Sequence, residues 1–172
     1  MRRIVSAVAG LFVLAGCMLL GGVAERERVY GKSAPVITES FASPIVKRGE
    51  NWMVYLNASD PDGDMNRIVC SVDYQAGVDH PYPVGIVKIG KNQQKELSGY
   101  FYLTTSDLYG PVQITFTLQI QDKAGHYSPP ILFSLSVVEP SSKENWQEEP
   151  PAGIFQEENL GPLMISLPSE IG

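Results

Sequence analysis

Three aspartates fall within five residues, Asp60, Asp62 and Asp64, in the run Ala58-Ser59-Asp60-Pro61-Asp62-Gly63-Asp64. Carboxylates held this close repel one another unless a cation sits among them. Calcium takes about six to eight oxygen ligands at about 2.3–2.6 Å, and a glycine-containing loop lets several carboxylates and main-chain carbonyls converge on one ion. A second reading needs nothing beyond the loop. Pro61 fixes φ, Asp60 and Asp62 bond to main-chain N–H groups, and Gly63 takes a positive φ. The run is not an EF-hand, because position twelve counted from Asp60 is Ser71 rather than Glu.

Other chemistry finds little support. The chain has no Gly-x-Ser-x-Gly, no His-Glu-x-x-His, no Cys-x-x-Cys and no phosphate-cradling glycine loop. Its two histidines, His80 and His126, each fall in a turn, and a pair without a third ligand makes a poor zinc site. The sequence therefore reads as non-catalytic. Tyr74, Tyr82, Tyr100, Tyr102, Tyr109 and Tyr127 offer area and hydroxyls for protein or carbohydrate contacts, and equally suit half-buried strand positions. Asn57-Ala58-Ser59 matches a glycosylation sequon.

The elements that must position these groups follow a period of two. Trp52, Val54, Leu56 and Ala58 share one face of a strand; Ile68, Cys70, Val72 and Tyr74 share one face of the next. Val112, Ile114, Phe116, Leu118 and Ile120 give the clearest alternation, against Gln113, Thr115, Thr117, Gln119 and Gln121. Extended runs also cover Val36–Phe41, Val84–Ile89, Leu97–Thr104 and Ile131–Val138, with turn signals between nearly every pair. The pattern predicts an all-β fold: one Ig-like antiparallel β-sandwich of about seven strands over residues 34–139. Cys70, inward on a central strand, reads as a small buried hydrophobe.

These motifs resemble those of bacterial Ig-like and cadherin-like extracellular domains. Such domains carry Ala-x-Asp-x-Asp-Gly-Asp after their second strand and Val-x-Asp-x-x-Gly before their last, matched here by Ala58–Asp64 and by Ile120-Gln121-Asp122-Lys123-Ala124-Gly125. Ala34-Pro35-Val36 is similar to the start of such modules. By position, the resemblance implies calcium ligation by Asp60, Asp62 and Asp122, to which Asp64 adds a carboxylate from the same loop. The family's Leu-Asp-Arg-Glu motif has no match, Leu97-Ser98-Gly99 standing near its place.

The N-terminus bears on compartment. Arg2 and Arg3 precede an apolar run, Ile4 to Val13, and then Leu14-Ala15-Gly16-Cys17. This resembles a bacterial lipoprotein signal, implying removal of residues 1–16 and lipidation of Cys17. Two alternatives stand: secretory cleavage after Gly22-Val23-Ala24, giving a 1–24 signal, and an uncut anchor, since Ile4 to Ala24 is long enough to span a ~30 Å core. Met18 rather than Asp after the cysteine points, by resemblance, to the outer membrane.

The chain holds 13 basic and 19 acidic residues; loss of Arg2 and Arg3 with the signal leaves 11 against 19. With no basic patch, nucleic-acid binding is excluded as an expectation. Residues 17–33 read as a polar linker. Residues 140–172, with Pro140, Pro150, Pro151, Pro162 and Pro168 and six glutamates, read as a disordered acidic tail. Within it Leu160 to Leu167 is apolar enough to dock on a partner or on the domain's own sheet edge. The expected role is a binding or scaffolding module of the cell envelope, periplasmic or outer-membrane, calcium-stabilised. It would be anchored by lipid and partnered by other envelope or extracellular proteins. The alternative is a carbohydrate-binding accessory domain.

Overall fold

Alternating apolar residues put one face of each strand inward, and proline decides where the chain changes sheet. The computed structural model describes residues 22–74, 84–106, 112–142 and 147–165; Cys17, His80, Tyr82, Tyr109 and residues 166–172 lie outside that set. It holds one α-helix, α1 (Val23–Tyr30), one 3-10 turn (Lys91–Gln93) and nine strands among the described residues: β1 (Val36–Ala42), β2 (Ile45–Lys47), β3 (Asn51–Ser59), β4 (Met65–Tyr74), β5 (Val84–Lys88), β6 (Glu96–Thr104), β7 (Val112–Asp122), β8 (Ile131–Val138) and β9 (Asn159–Pro162).

Two sheets face each other, one ordered β1-β3-β6-β9 and the other β2-β8-β7-β4-β5. Pro44 ends β1 and the chain crosses to the second sheet. There β2 runs parallel to β8, Ile45 opposite Ser136, and the Pro44 carbonyl accepts from the Ser136 N–H at 2.8 Å. The expected sandwich is present, with two differences. Both added strands, β2 and β9, pair in parallel with their neighbours, so the fold is not purely antiparallel. And part of the stretch expected to be disordered, Asn159–Pro162, forms β9 on the domain's own sheet edge, one of the two places open to Leu160 to Leu167 from sequence.

The inward faces match the sequence pattern. Trp52, Val54, Leu56 and Ala58 from β3, Ile68, Cys70 and Val72 from β4, and Ile114, Phe116, Leu118 and Ile120 from β7 are all buried. Trp52 centres this core. Its ring lies 4.5 Å from that of Phe116 and 6.2 Å from that of Phe133, the latter edge-on. Its indole N–H, which could not be left unpaired in an apolar interior, donates to the Ser43 carbonyl at 2.7 Å. Of the tyrosines, Tyr100 and Tyr102 are half-buried on the outer face of β6, and Tyr127 is exposed. Asn57 of the sequon is engaged, accepting from Ser98 Oγ at 2.6 Å and donating to the Ile154 carbonyl at 2.9 Å.

Cys70 is buried and unpaired, and burial pushes its thiol up to about 12. The reactive thiolate is thus absent in the folded state at neutral pH. A thiol-specific reagent is expected to leave Cys70 unlabelled in native protein and to label it within minutes of denaturation. Labelling of native protein at a free-thiol rate would contradict this packing.

Candidate metal centre

The register of the central strands builds the site. β4 and β7 run antiparallel with Met65 opposite Asp122. The turn entering β4 and the turn leaving β7 therefore sit side by side at one end of the sandwich. The first turn follows β3. Asp60 N–H donates to the Lys95 carbonyl at 2.9 Å, Gly63 N–H to the Asp60 carbonyl at 3.1 Å, and Gly63 takes φ +74°. In the second turn the main-chain N–H groups of Gly125 and His126 donate to Asp122 Oδ1 at 2.5 and 2.7 Å, and Gly125 sits at φ +103°. Lys123 N–H ties the two together by donating to Asp64, to the main-chain carbonyl and to Oδ2, each at 3.1 Å.

Asp60, Asp64 and Asp122 are 1%, 5% and 2% exposed. Each offers a carboxylate oxygen within 4.8 Å of the others. Two oxygens on one calcium can be no farther apart than twice the bond length, about 4.6–5.2 Å, so one ion can reach all three. No lysine or arginine pairs with them among the described residues; the one cationic partner is His126, which meets Asp122 alone. Burying carboxylates unpaired is costly. The cost is most visible at Asp60. Its Oδ1 accepts the Asp62 N–H at 3.0 Å, but its Oδ2 is buried with no hydrogen-bond partner among the described residues. An all-oxygen donor set without cysteine suits a hard cation rather than a transition metal.

Asp62, expected in the ligand set, stands elsewhere. It sits at the exposed tip of the turn, where Oδ2 accepts the Ser33 N–H at 2.7 Å. That main-chain donor holds its carboxyl below the usual range. The structure thus brings together Asp60, Asp64 and Asp122 and leaves Asp62 to bind the chain's own N-terminal segment.

That segment, expected to be a solvated linker, contains α1 and packs beside the site. Glu25 in the first turn and Arg28 in the last complement the helix dipole. Gly31 ends the helix at φ +108°, and a Cβ there would run into the Asp62 carboxylate. Glu27 Oε1 lies 3.1 Å from His126 Nε2, whose Nδ1 lies 2.8 Å from Asp122 Oδ2. From sequence, His126 offers only half of a poor zinc pair. Its adjacency to Gly125 and Asp122 was a visible signal; nothing marked Glu27 among its charged neighbours.

Without a cation, a proton can take the place between these carboxylates. Burial, then Asp60, then the charge of Asp122 push Asp64 up to about 6. A carboxyl raised in the folded state contributes stability in acid, lost as pH rises from its ordinary 3.8 through about 6. His126 is raised as well, by Glu27 first and then Asp122. Its contribution is present below its ordinary 6.5 and lost as pH rises through the folded value. Both run the same way, and the lowered Asp62 loses its contribution only below 3.8, outside that window. Chelator-treated protein is therefore expected to melt higher at about pH 5 than at about pH 7.5. A melting temperature flat or rising over that interval would contradict these assignments.

Among the described residues no helix is long and apolar enough to cross a membrane. No family model matches the chain, and no curated protein does. Among solved structures it is similar to the CARDB domain of the PF1109 protein of Pyrococcus furiosus, solved in complex with di-metal ions. The two share 13% identity with a TM-score of 0.34, over 62% of this chain and 89% of that one.

Proposed function

We propose that the chain is a non-catalytic Ig-like module of the bacterial cell envelope, exported and lipid-anchored through Cys17, whose loop end is held by one calcium ion on Asp60, Asp64 and Asp122. The observation that carries the calcium reading is the donor-less Asp60 Oδ2, buried between two further carboxylates. A turn alone accounts for Asp60 Oδ1 but not for Oδ2. The N-terminal signal pattern supports export. The fold class supports binding or scaffolding alongside other envelope proteins.

Thermal melting with calcium and with chelator tests the cation. A ligand at about 100 times its Kd adds about 2.7 kcal/mol to a folded state that alone binds it, or roughly 6–12 °C for a domain of this size. Equal melting in both conditions would remove calcium from the account. Metabolic labelling with a tagged fatty acid, lost in Cys17→Ser, tests the anchor.

One observation favours the carbohydrate-binding alternative: a cleft of about 530 Å³ between the outer face of the first sheet and residues 147–157, lined by Phe41, Tyr55 and Phe155 together with Glu148, Glu149 and Glu157. Retention on peptidoglycan or a glycan array, lost in Tyr55→Ala, would support it.

A further inference from the structure

The core does not hold α1 in place. A helix of eight residues is marginal in water, and none of its side chains is buried. Every residue of it is exposed except Glu27, whose side chain keeps 25% of its surface. The polar and ring contacts of residues 23–33 with the rest of the described chain all fall on the two turns that carry the aspartates. Glu27 Oε1 lies 3.1 Å from His126 Nε2. The Arg26 guanidinium lies against Gly125, where an added Cβ would come within 3.1 Å of it. Lys123 Nζ stands 5.8 Å from the centre of the Tyr30 ring. Just past the helix, Ser33 N–H donates to Asp62 Oδ2 at 2.7 Å, and Gly31 leaves room for that carboxylate.

Glu27 reaches the cluster through one residue. His126 has a carboxylate at each ring nitrogen, Glu27 at Nε2 and Asp122 Oδ2 at Nδ1, the latter at 2.8 Å. The ring cannot swing away from Asp122 without parting from the helix. Asp122 Oδ1 accepts two main-chain N–H groups, those of Gly125 and His126, which occupies both its lone pairs. The lone pair left for a cation is on Oδ2, the oxygen that His126 faces. Hydrogen-bond partners standing behind a metal ligand set its orientation, and removing one typically costs about 10–100-fold in metal affinity.

Building on the calcium reading proposed above, we infer that α1 is a working part of the cation site: Glu27, acting through His126, positions the Asp122 carboxylate for the ion. Glu27 is a positioning residue and touches no ligand oxygen of the cluster itself. Linkage makes the effect mutual. Whatever factor the docked helix adds to calcium affinity, bound calcium adds to the docking of the helix.

Calcium isotherms on the full chain in non-ionic detergent test this. Glu27→Ala is expected to bind calcium about tenfold more weakly than wild type. Glu27→Gln keeps an oxygen for His126 and is expected to bind within about twofold of wild type. Both variants lose the same charge, so the difference between them reads the contact and not the field. Equal affinity in wild type and Glu27→Ala would overturn the inference and leave the cation reading standing, as would Glu27→Gln as weak as Glu27→Ala. Wild type that binds no calcium would overturn both. A second measurement needs no variant. Cleavage after the exposed Lys32 by a lysine-specific protease that works in chelator is expected to slow about tenfold when calcium is added. Equal cleavage rates with calcium and with chelator, in protein that binds the ion, would show that the ion does not hold the helix and would overturn the inference.

Discussion

Leu163→Ala is expected to lower the melting temperature by about 10 °C, and a stop after Ser142 by more. Leu163 is as buried as the sheet residues around it, 3% exposed, and sits where β5 and β6 face each other, its Cδ1 over Gly85. Replacing a fully buried leucine by alanine costs about 2–5 kcal/mol, because the methyl groups are lost and Gly85 offers no side chain to fill the gap. At about 3 kcal/mol and about 3–4 °C per kcal/mol, the shift is readily seen by circular dichroism. Truncation removes Leu160, Ile165 and the β9 bonds as well, and opens the β6 edge to association. Met164→Ala, on the exposed side of the same segment, is the control and should melt within about 1 °C of wild type. Equal melting of the Leu163 and Met164 variants would mean that the segment rests on the domain without belonging to it.

Asp60→Asn is expected to raise the melting temperature of chelator-treated protein and to abolish its response to calcium. The substitution preserves the shape of the side chain and an oxygen to accept the Asp62 N–H, so the turn survives. It removes one of three mutually repelling buried charges, which stabilises the cation-free form. It also removes a ligand, so added calcium no longer helps. The two curves should therefore cross: the variant more stable without calcium, wild type more stable with it. A site that is only a turn predicts no such crossing. Asp62→Asn, which touches the N-terminal segment rather than the cluster, should leave the calcium response in place.

The strands that carry the core were legible because period-two alternation needs no partner to be seen. Trp52 to Ala58 and Ile114 to Ile120 announce an inward face on sequence alone, and they lie buried. β9 was legible in part: Leu160 to Leu167 is apolar enough to dock on the domain's own sheet edge, where Asn159–Pro162 does pair with β6, but no alternation marks it as a strand. Gly161 and Pro162 interrupt it, its register shifts between Asn159 and Gly161, and its anchors therefore fall at Leu160, Leu163 and Ile165 rather than at every second residue. Upstream glutamates and prolines lowered the apparent hydrophobicity of a segment that needs only three aliphatic side chains to dock. α1 was hidden for the opposite reason: no face of it is buried, and its contacts are polar.

The site was legible in part. Clustered aspartates marked the turn, and resemblance added Asp122. Which carboxylates face inward depends on the turn's geometry, which places Asp60 and Asp64 at its base and Asp62 at its tip. The pairing of Met65 with Asp122 then completes the set from residues 58 positions apart in sequence.

The most direct test of the cation site is a calcium-binding isotherm on the chain from residue 22, by equilibrium dialysis at neutral pH. One ion per chain is expected, retained in Asp62→Asn and lost in Asp60→Asn, with the fold of both intact by circular dichroism. No bound calcium at millimolar concentration, or binding that Asp62→Asn removes and Asp60→Asn leaves, would contradict it.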